Sequence, residues 1–189
     1  NSIYSDLHGN LFDPFDGKKD LEKGVVNFIG SPDIRIKEDY LRILRYLRFF
    51  TNYSKHPHNS ELIRKLKMNI GGISQLSKER LLDELKKIAQ LETLEKIAKN
   101  KISLDLAQTI FPELKNINIF SKLNSDKKKK LQGVNFIFLL SLMVIDEKDN
   151  ADYFLYRFNI SKKDQERIKI IDNFYKEKIS TKTFSENNM

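Results

Sequence analysis

The sequence predicts a mainly α chain that opens on a short β-hairpin and a strand. From residue 35 onward, apolar residues recur at helical spacing in one segment after another, separated by Gly, Pro and polar punctuation. Before residue 31, the apolar runs are too short for helices and flank turn signals. The longest apolar run, 134–145, is about 12 residues and includes Asn135 and Ser141, well short of the ~20 needed to span a bilayer. It reads as a buried helix.

In chain order, residues 3–5 and 11–12 flank the turn signal His8-Gly9-Asn10 and read as a hairpin. Residues 13–17, DPFDG, are a loop by composition, and 25–29 form a short apolar strand closed by Gly30. Alone these strands make an edge without a sheet, and an isolated two-stranded unit is marginal in water. The chain also begins at Asn1, without a methionine, in what reads as a strand; the expectation is a piece of a longer protein. Ser31-Pro32-Asp33 breaks the chain before the next element.

That element is RIKEDYLRILRYLRFF, residues 35–50, which reads as one helix with two faces. Tyr40, Ile43, Leu44 and Leu47 fall in one apolar sector, with Phe50 on its edge. Arg42, Arg45 and Arg48 make a second stripe, with Phe49 pointing into it. On one helix Asp39 and Arg42, three residues apart, would present a carboxylate and a guanidinium to the same ligand. A surface helix with acids in its first turn and arginines in its last accounts for the same pattern.

A polar interval, 51–59, follows; Pro57 stops helix there, and His56 and His58 beside it read as a solvated loop. A helix over 60–68 ends at Gly71-Gly72, and Ser77 caps the next one, 78–90, with Leu81, Leu82, Leu85 and Ile88 on its apolar face. Further helices are expected over 94–98, 104–110, 134–145, 152–158 and 162–176, the last opened by a capping box at Ser161 and Asp164. Lys127 to Lys130 read as a solvated helix start, with phosphate contact as the other reading. Residues 181–189 read as a polar, disordered tail.

The formal net charge of +8 and a pI near 9.4 point to an anionic partner, nucleic acid rather than membrane. There is no cysteine, so disulfides and thiolate metal sites are excluded. The first residues carry neither a basic n-region nor an apolar h-region.

Three stretches in register resemble the class II tRNA nucleotidyltransferases and bacterial poly(A) polymerases. GSPDIRIK followed by EDYLRILRYLRFF resembles their EDxxRxxR helix; DPFDGKKDL with the strand to Gly30 resembles the end of their catalytic head; ISQLSKERLLDELKKI resembles an SxERxxxEL helix of the neck. The resemblance covers roughly residues 1–88. It implies the end of a nucleotidyltransferase head (1–30), a helical neck that binds nucleobase and RNA (31–90), a helical body (91–180) and the tail (181–189). It also implies nucleotide-binding roles for Asp39, Arg42, Arg45 and Arg48, supported by Glu38, Arg35, Glu79, Arg80 and Glu84, with Glu79 or Glu84 bracing an arginine of the stripe.

By the same resemblance, the intact protein would transfer nucleotides from CTP and ATP to the 3′ end of tRNA, held by its acceptor stem, with Mg2+ bound by a D-x-D pair. This sequence contains no D-x-D, so the expectation places the Mg2+ ligands outside the chain, which by itself would be inactive. Asp146, Asp149 and Asp152 are spaced like a polar helix edge rather than a metal cage. The implied compartment is the cytoplasm or the mitochondrial matrix. A poly(A) polymerase adding only AMP is the alternative within the same superfamily, and a non-catalytic helical RNA-binding module is the alternative outside it.

Overall fold

The computed structural model describes residues 3–186, with side chains described through residue 179. The chain divides into two compact units, Asn1–Leu76 and Ser77–Met189. That boundary falls inside the stretch expected to form the neck.

In the first unit, β1 (Tyr4–Ser5) and β2 (Leu11–Phe12) pair antiparallel, Tyr4 opposite Phe12. The Asp6 carboxylate shapes the turn by accepting from the backbone N–H groups of His8 (2.9 Å) and Asn10 (2.8 Å) and from Asn10 Nδ2 (2.8 Å). Both strands are exposed, so the hairpin contributes nothing to the core.

The DPFDG loop is the start of a helix that composition alone did not reveal, α1 (Gly17–Lys23). Asp13 nucleates it by accepting from the N–H groups of Gly17 (2.7 Å) and Lys18 (2.8 Å); the Lys18 bond, more than any other cause, lowers the Asp13 pKa. The helix ends at Gly24, φ +68°, where a Cβ would stand 2.5 Å from Lys55 Cγ. Its last carbonyls meet the segment after residue 53: Glu22 O accepts from Lys55 Nζ, Gly24 O from Lys55 N–H, and Lys23 O lies 3.1 Å from His56 Nε2. Residues 25–29, expected as a strand, form none: 25–28 have no regular structure and Ile29 lies in a bend. No neighbouring strand among the described residues satisfies their backbone, and a lone extended segment is not a strand.

The expected single helix over 35–50 is two helices. Ser31-Pro32 does not break the chain but starts α2 (Pro32–Glu38), with Pro at the first position, where its missing N–H costs nothing. Asp39 is extended (φ −157°, ψ 103°) and α3 (Leu41–Tyr53) begins afresh. The next helix, α4 (Ser60–Asn69), is capped by Asn59, whose side chain accepts from Leu62 N–H, and runs into a 3-10 turn, Ile70–Gln75. Ile36, Leu41, Ile43, Leu44, Tyr46, Leu47, Leu66 and Ile73 are the buried core of this unit.

The second unit is all helix: α5 (Lys78–Ile88), α6 (Leu91–Lys99), α7 (Lys101–Ile110), a 3-10 turn (Ile117–Lys122), α8 (Ser125–Leu131), α9 (Phe136–Val144), α10 (Asn150–Arg157) and α11 (Lys162–Glu186). Ser77, Asn100, Asn124 and Asn135 cap four of them, each accepting from the backbone N–H three residues on. The expected disordered tail meets a helix that runs to Glu186; residues 187–189 lie outside the described residues. The apolar α9 is buried at Leu139, Leu140, Met143 and Val144, and α10 and α11 pack on it.

A polar lock closes this core. Glu113, 1% exposed, accepts two bonds from Arg157 Nη1, at 2.7 and 2.8 Å, while Asn150 Nδ2 donates to Glu113 O and Val144 O. None of the described helices is long and apolar enough to cross a membrane.

Candidate functional site

The break at Asp39 decides the geometry of the candidate residues. On a continuous helix, Asp39 and Arg42 would be neighbours on one surface stripe. Here Asp39 closes α2 and opens α3: its N–H donates to Ile36 O, its carbonyl accepts from Arg42 N–H at 3.0 Å, and its Oδ1 accepts from Leu41 N–H at 3.1 Å. The two residues still share one turn of chain, but the turn is a helix start. Asp39 Oδ1 and its backbone N–H and carbonyl all bond to the chain of this turn.

Arg42 Nη1 donates to Glu38 Oε2 (2.6 Å) and to the carbonyl oxygen of Arg35 (2.5 Å). The same Glu38 oxygen accepts from Arg35 Nη1 at 2.6 Å. One carboxylate thus holds two guanidiniums, and its pKa is lowered, first by the Arg42 bond. This network is only partly open to solvent: the side chain of Glu38 is 44% exposed and that of Arg42 25%. The three-arginine stripe is present on α3, with Arg45 exposed and Arg42 and Arg48 half-buried, and the Arg48 guanidinium lies 4.3 Å from the centre of the Phe49 ring.

Behind the stripe stands an aromatic support that the sequence reading missed. Phe28 stacks on Tyr46, Tyr46 faces Phe50, and the His58 ring lies 3.5 Å from that of Phe50 at 14°. His58 Nδ1 is 3.0 Å from the Tyr46 hydroxyl. His58 is therefore not a solvated loop residue but a packed one, and burial pushes its pKa down to about 4. Burial raises the Tyr46 hydroxyl pKa. The available signal was the four-residue spacing of Tyr46 and Phe50; Tyr46 lies at the edge of the apolar sector and is buried because Phe28 and His58 cover it.

Of the supporting residues, Glu38 and Arg35 join Arg42 directly. Glu79, Arg80 and Glu84 lie in the second unit on α5. Glu79 and Arg80 are exposed, and Glu79 borders a cleft of about 200 Å³ with Lys78, Lys86 and Ser161. Glu84 is buried, with Lys87 Nζ at 3.4 Å. In the lysine run, Lys127, Lys129 and Lys130 are exposed, while Lys128 pairs with Glu95 at 2.8 Å. Among the described residues, no three His, Asp or Glu side chains converge to hold a metal ion.

No protein-family model matches the chain. It is 33% identical over 171 residues to the CCA tRNA nucleotidyltransferase 1, mitochondrial, of Mus musculus, a match that takes in 87% of this chain and 38% of the relative. The corresponding Danio rerio protein is 43% identical over 90 residues, 47% of this chain and 21% of the relative. A CCA-adding enzyme of Staphylococcus saprophyticus is 26% identical over 171 residues, 90% of this chain and 41% of the relative. The matched stretch thus spans 21% to 41% of the length of these relatives.

Proposed function

The chain belongs to the CCA tRNA nucleotidyltransferase family, and on that premise we propose that the full-length protein containing it adds C and A to the 3′ end of tRNA from CTP and ATP. In this reading the turn at residues 38–42 selects the base. The observation that carries it is a carboxylate and a guanidinium held on one partly exposed helix start, the guanidinium by the exposed Glu38 and the Arg35 carbonyl.

The chemistry follows from donor and acceptor patterns. Cytosine and adenine each present an exocyclic amine beside an unprotonated ring nitrogen. Asp39 accepts from the amine while Arg42 donates to the ring nitrogen. Uracil and guanine present a carbonyl beside an N–H, so each protein group would face its own kind. Rejection by such unpaired groups reaches ~10⁴-fold where a site is built on a polar contact.

A carboxylate offers about four lone-pair sites and a guanidinium five N–H donors. Glu38 and the Arg35 carbonyl hold one nitrogen of Arg42 at the helix start, so that a base arriving there meets a donor already aimed. Arg45 and Arg48, along the same helix, lie where a triphosphate would be met by charge.

The reaction is displacement of pyrophosphate from the nucleoside triphosphate by the RNA 3′ hydroxyl. In this family the carboxylates for Mg2+ lie elsewhere, and no step of it is assigned to a residue of this chain. For tRNA, the exposed Lys127, Lys129 and Lys130 supply phosphate contacts that position without reading sequence. Replacing all three by Ala lowers the slope of log K against log salt by about 0.7–0.9 for each lysine that touches a phosphate. An unchanged slope removes them from the interface.

The function is tested by incubating the full-length protein with tRNA lacking its 3′ CCA and each nucleoside triphosphate. Addition of C and then A is the expected result. Addition of A alone would indicate a poly(A) polymerase, and no addition despite tRNA binding would contradict the enzyme reading.

A further inference from the structure

We infer that Gly72 is a positioning residue for base selection, acting through the Tyr40 ring on the turn that carries Asp39 and Arg42. The inference rests on the base-selection reading above and adds to it a residue more than thirty positions away in sequence.

A Cβ built on Gly72 would stand 2.1 Å from Tyr40 Cε1 and 2.3 Å from Cδ1 and Cζ. Real Cβ atoms do not come within 3.0 Å of another heavy atom, and here the atoms met are those of a rigid ring, not the end of a flexible chain. The Tyr40 ring therefore lies directly on the Gly72 backbone. Its neighbour Gly71 meets nothing within 4 Å, so the constraint belongs to the second glycine of the pair alone. Gly72 has no positive φ, so an L side chain is forbidden there by the ring and not by the backbone.

Tyr40 cannot give way independently of the site. It is the one residue between the extended Asp39 and the first turn of α3, and its carbonyl accepts from Ile43 N–H at 3.1 Å. On either side, Asp39 Oδ1 holds Leu41 N–H and Asp39 O holds Arg42 N–H. A ring displaced from Gly72 that carries the backbone at residue 40 with it re-aims the Asp39 carboxylate and the start of the helix bearing Arg42. Displacements of about 1 Å in a positioned group cost up to ~10²-fold in rate.

The test is a double-mutant cycle in the full-length protein, reading the ratio of kcat/KM for CTP to that for UTP on tRNA lacking CCA. Gly72→Ala is expected to lower that ratio by about tenfold or more, with Gly71→Ala unchanged. In a Tyr40→Ala background, where the ring is gone, Gly72→Ala is expected to change the ratio less than about twofold. A ratio for Gly72→Ala equal to the parent's, or an equal loss in both backgrounds, overturns the inference. Should Gly72→Ala alone fail to fold, the Tyr40→Ala pair decides: equal ratios with and without Gly72→Ala, in proteins that both fold, support the inference, and a further loss overturns it. A parent protein that incorporates U as readily as C defeats the base-selection reading itself, and this inference with it.

Discussion

Arg157 and Arg42 are each held by a glutamate, and the difference between them separates a structural residue from one that can work on a ligand. Arg157 makes two bonds to Glu113, which is buried, and its guanidinium lies 5.0 Å from the centre of the Phe158 ring. Arg42 meets Glu38 on the surface through one nitrogen that it shares with a backbone carbonyl. Removing Arg157 leaves a carboxylate in the core with its solvation gone. Releasing Arg42 leaves Glu38 in water. An exposed pair of the second kind is worth little to the fold, so its arginine can be handed to a nucleobase at small cost.

The largest effect that would sharpen this contrast is on stability. Arg157→Ala is expected to destabilise the protein by about 3–5 kcal/mol in chemical denaturation, because one partner of a buried pair is lost. Arg42→Ala is expected to leave the denaturation midpoint where it is. If the two variants unfold alike, the distinction between lock and reader is wrong.

A second, smaller effect concerns the aromatic support of α3. His58 has its pKa lowered to about 4 by burial, against an ordinary value of 6.5. Between those values the folded state binds fewer protons than the unfolded one. The His58 contribution is therefore complete above pH 6.5 and is lost as pH falls through about 6.5 toward 4. Allowing for solvent reaching part of the ring, the loss is about 1–2 kcal/mol. It is measured as the difference in pH dependence between the parent and His58→Phe, in which the shared carboxylate titrations cancel. Parallel curves would mean that the ring is not held neutral by the fold.

The smallest expected effect on stability belongs to Glu38→Gln, which leaves the midpoint unmoved. Its signature is functional. With the carboxylate gone, Arg42 is less strongly held at the helix start, and KM for CTP rises more than kcat falls. A large fall in stability would show that the exposed network carries the fold after all.

Much of the helical body was legible in the sequence for a simple reason. Its helices carry apolar residues at helical spacing, and α5 starts at Ser77, whose side chain accepts from Arg80 N–H as a cap should, so local chemistry and burial agree there. The break at Asp39 was hidden because the apolar spacing continues across it: Ile36, Ile43, Leu44 and Leu47 would share one face of a continuous helix and are all buried although they belong to two helices. Periodicity reports which residues face a core, not whether the backbone between them is continuous. The packing of His58 was hidden for another reason. Histidine beside proline resembles solvated loop, and only the fold brings it to Phe50 and Tyr46. Gly72 likewise reads as helix punctuation until the Tyr40 ring is found lying on it. The residues of the EDxxR word were identified in sequence through a family resemblance, but the network in which Glu38 holds both Arg35 and Arg42 is a property of the folded turn.

The most direct test of the account is nucleotide choice by Asp39→Ala and Arg42→Ala, in the full-length protein, on tRNA lacking its 3′ CCA. The account predicts that both variants remain folded, and that each loses most of the preference for CTP and ATP over UTP and GTP, toward the ~10⁴-fold scale available to paired polar groups. Two folded variants that keep the parent's base preference would contradict it and would return the turn at residues 38–42 to the role of an ordinary helix start.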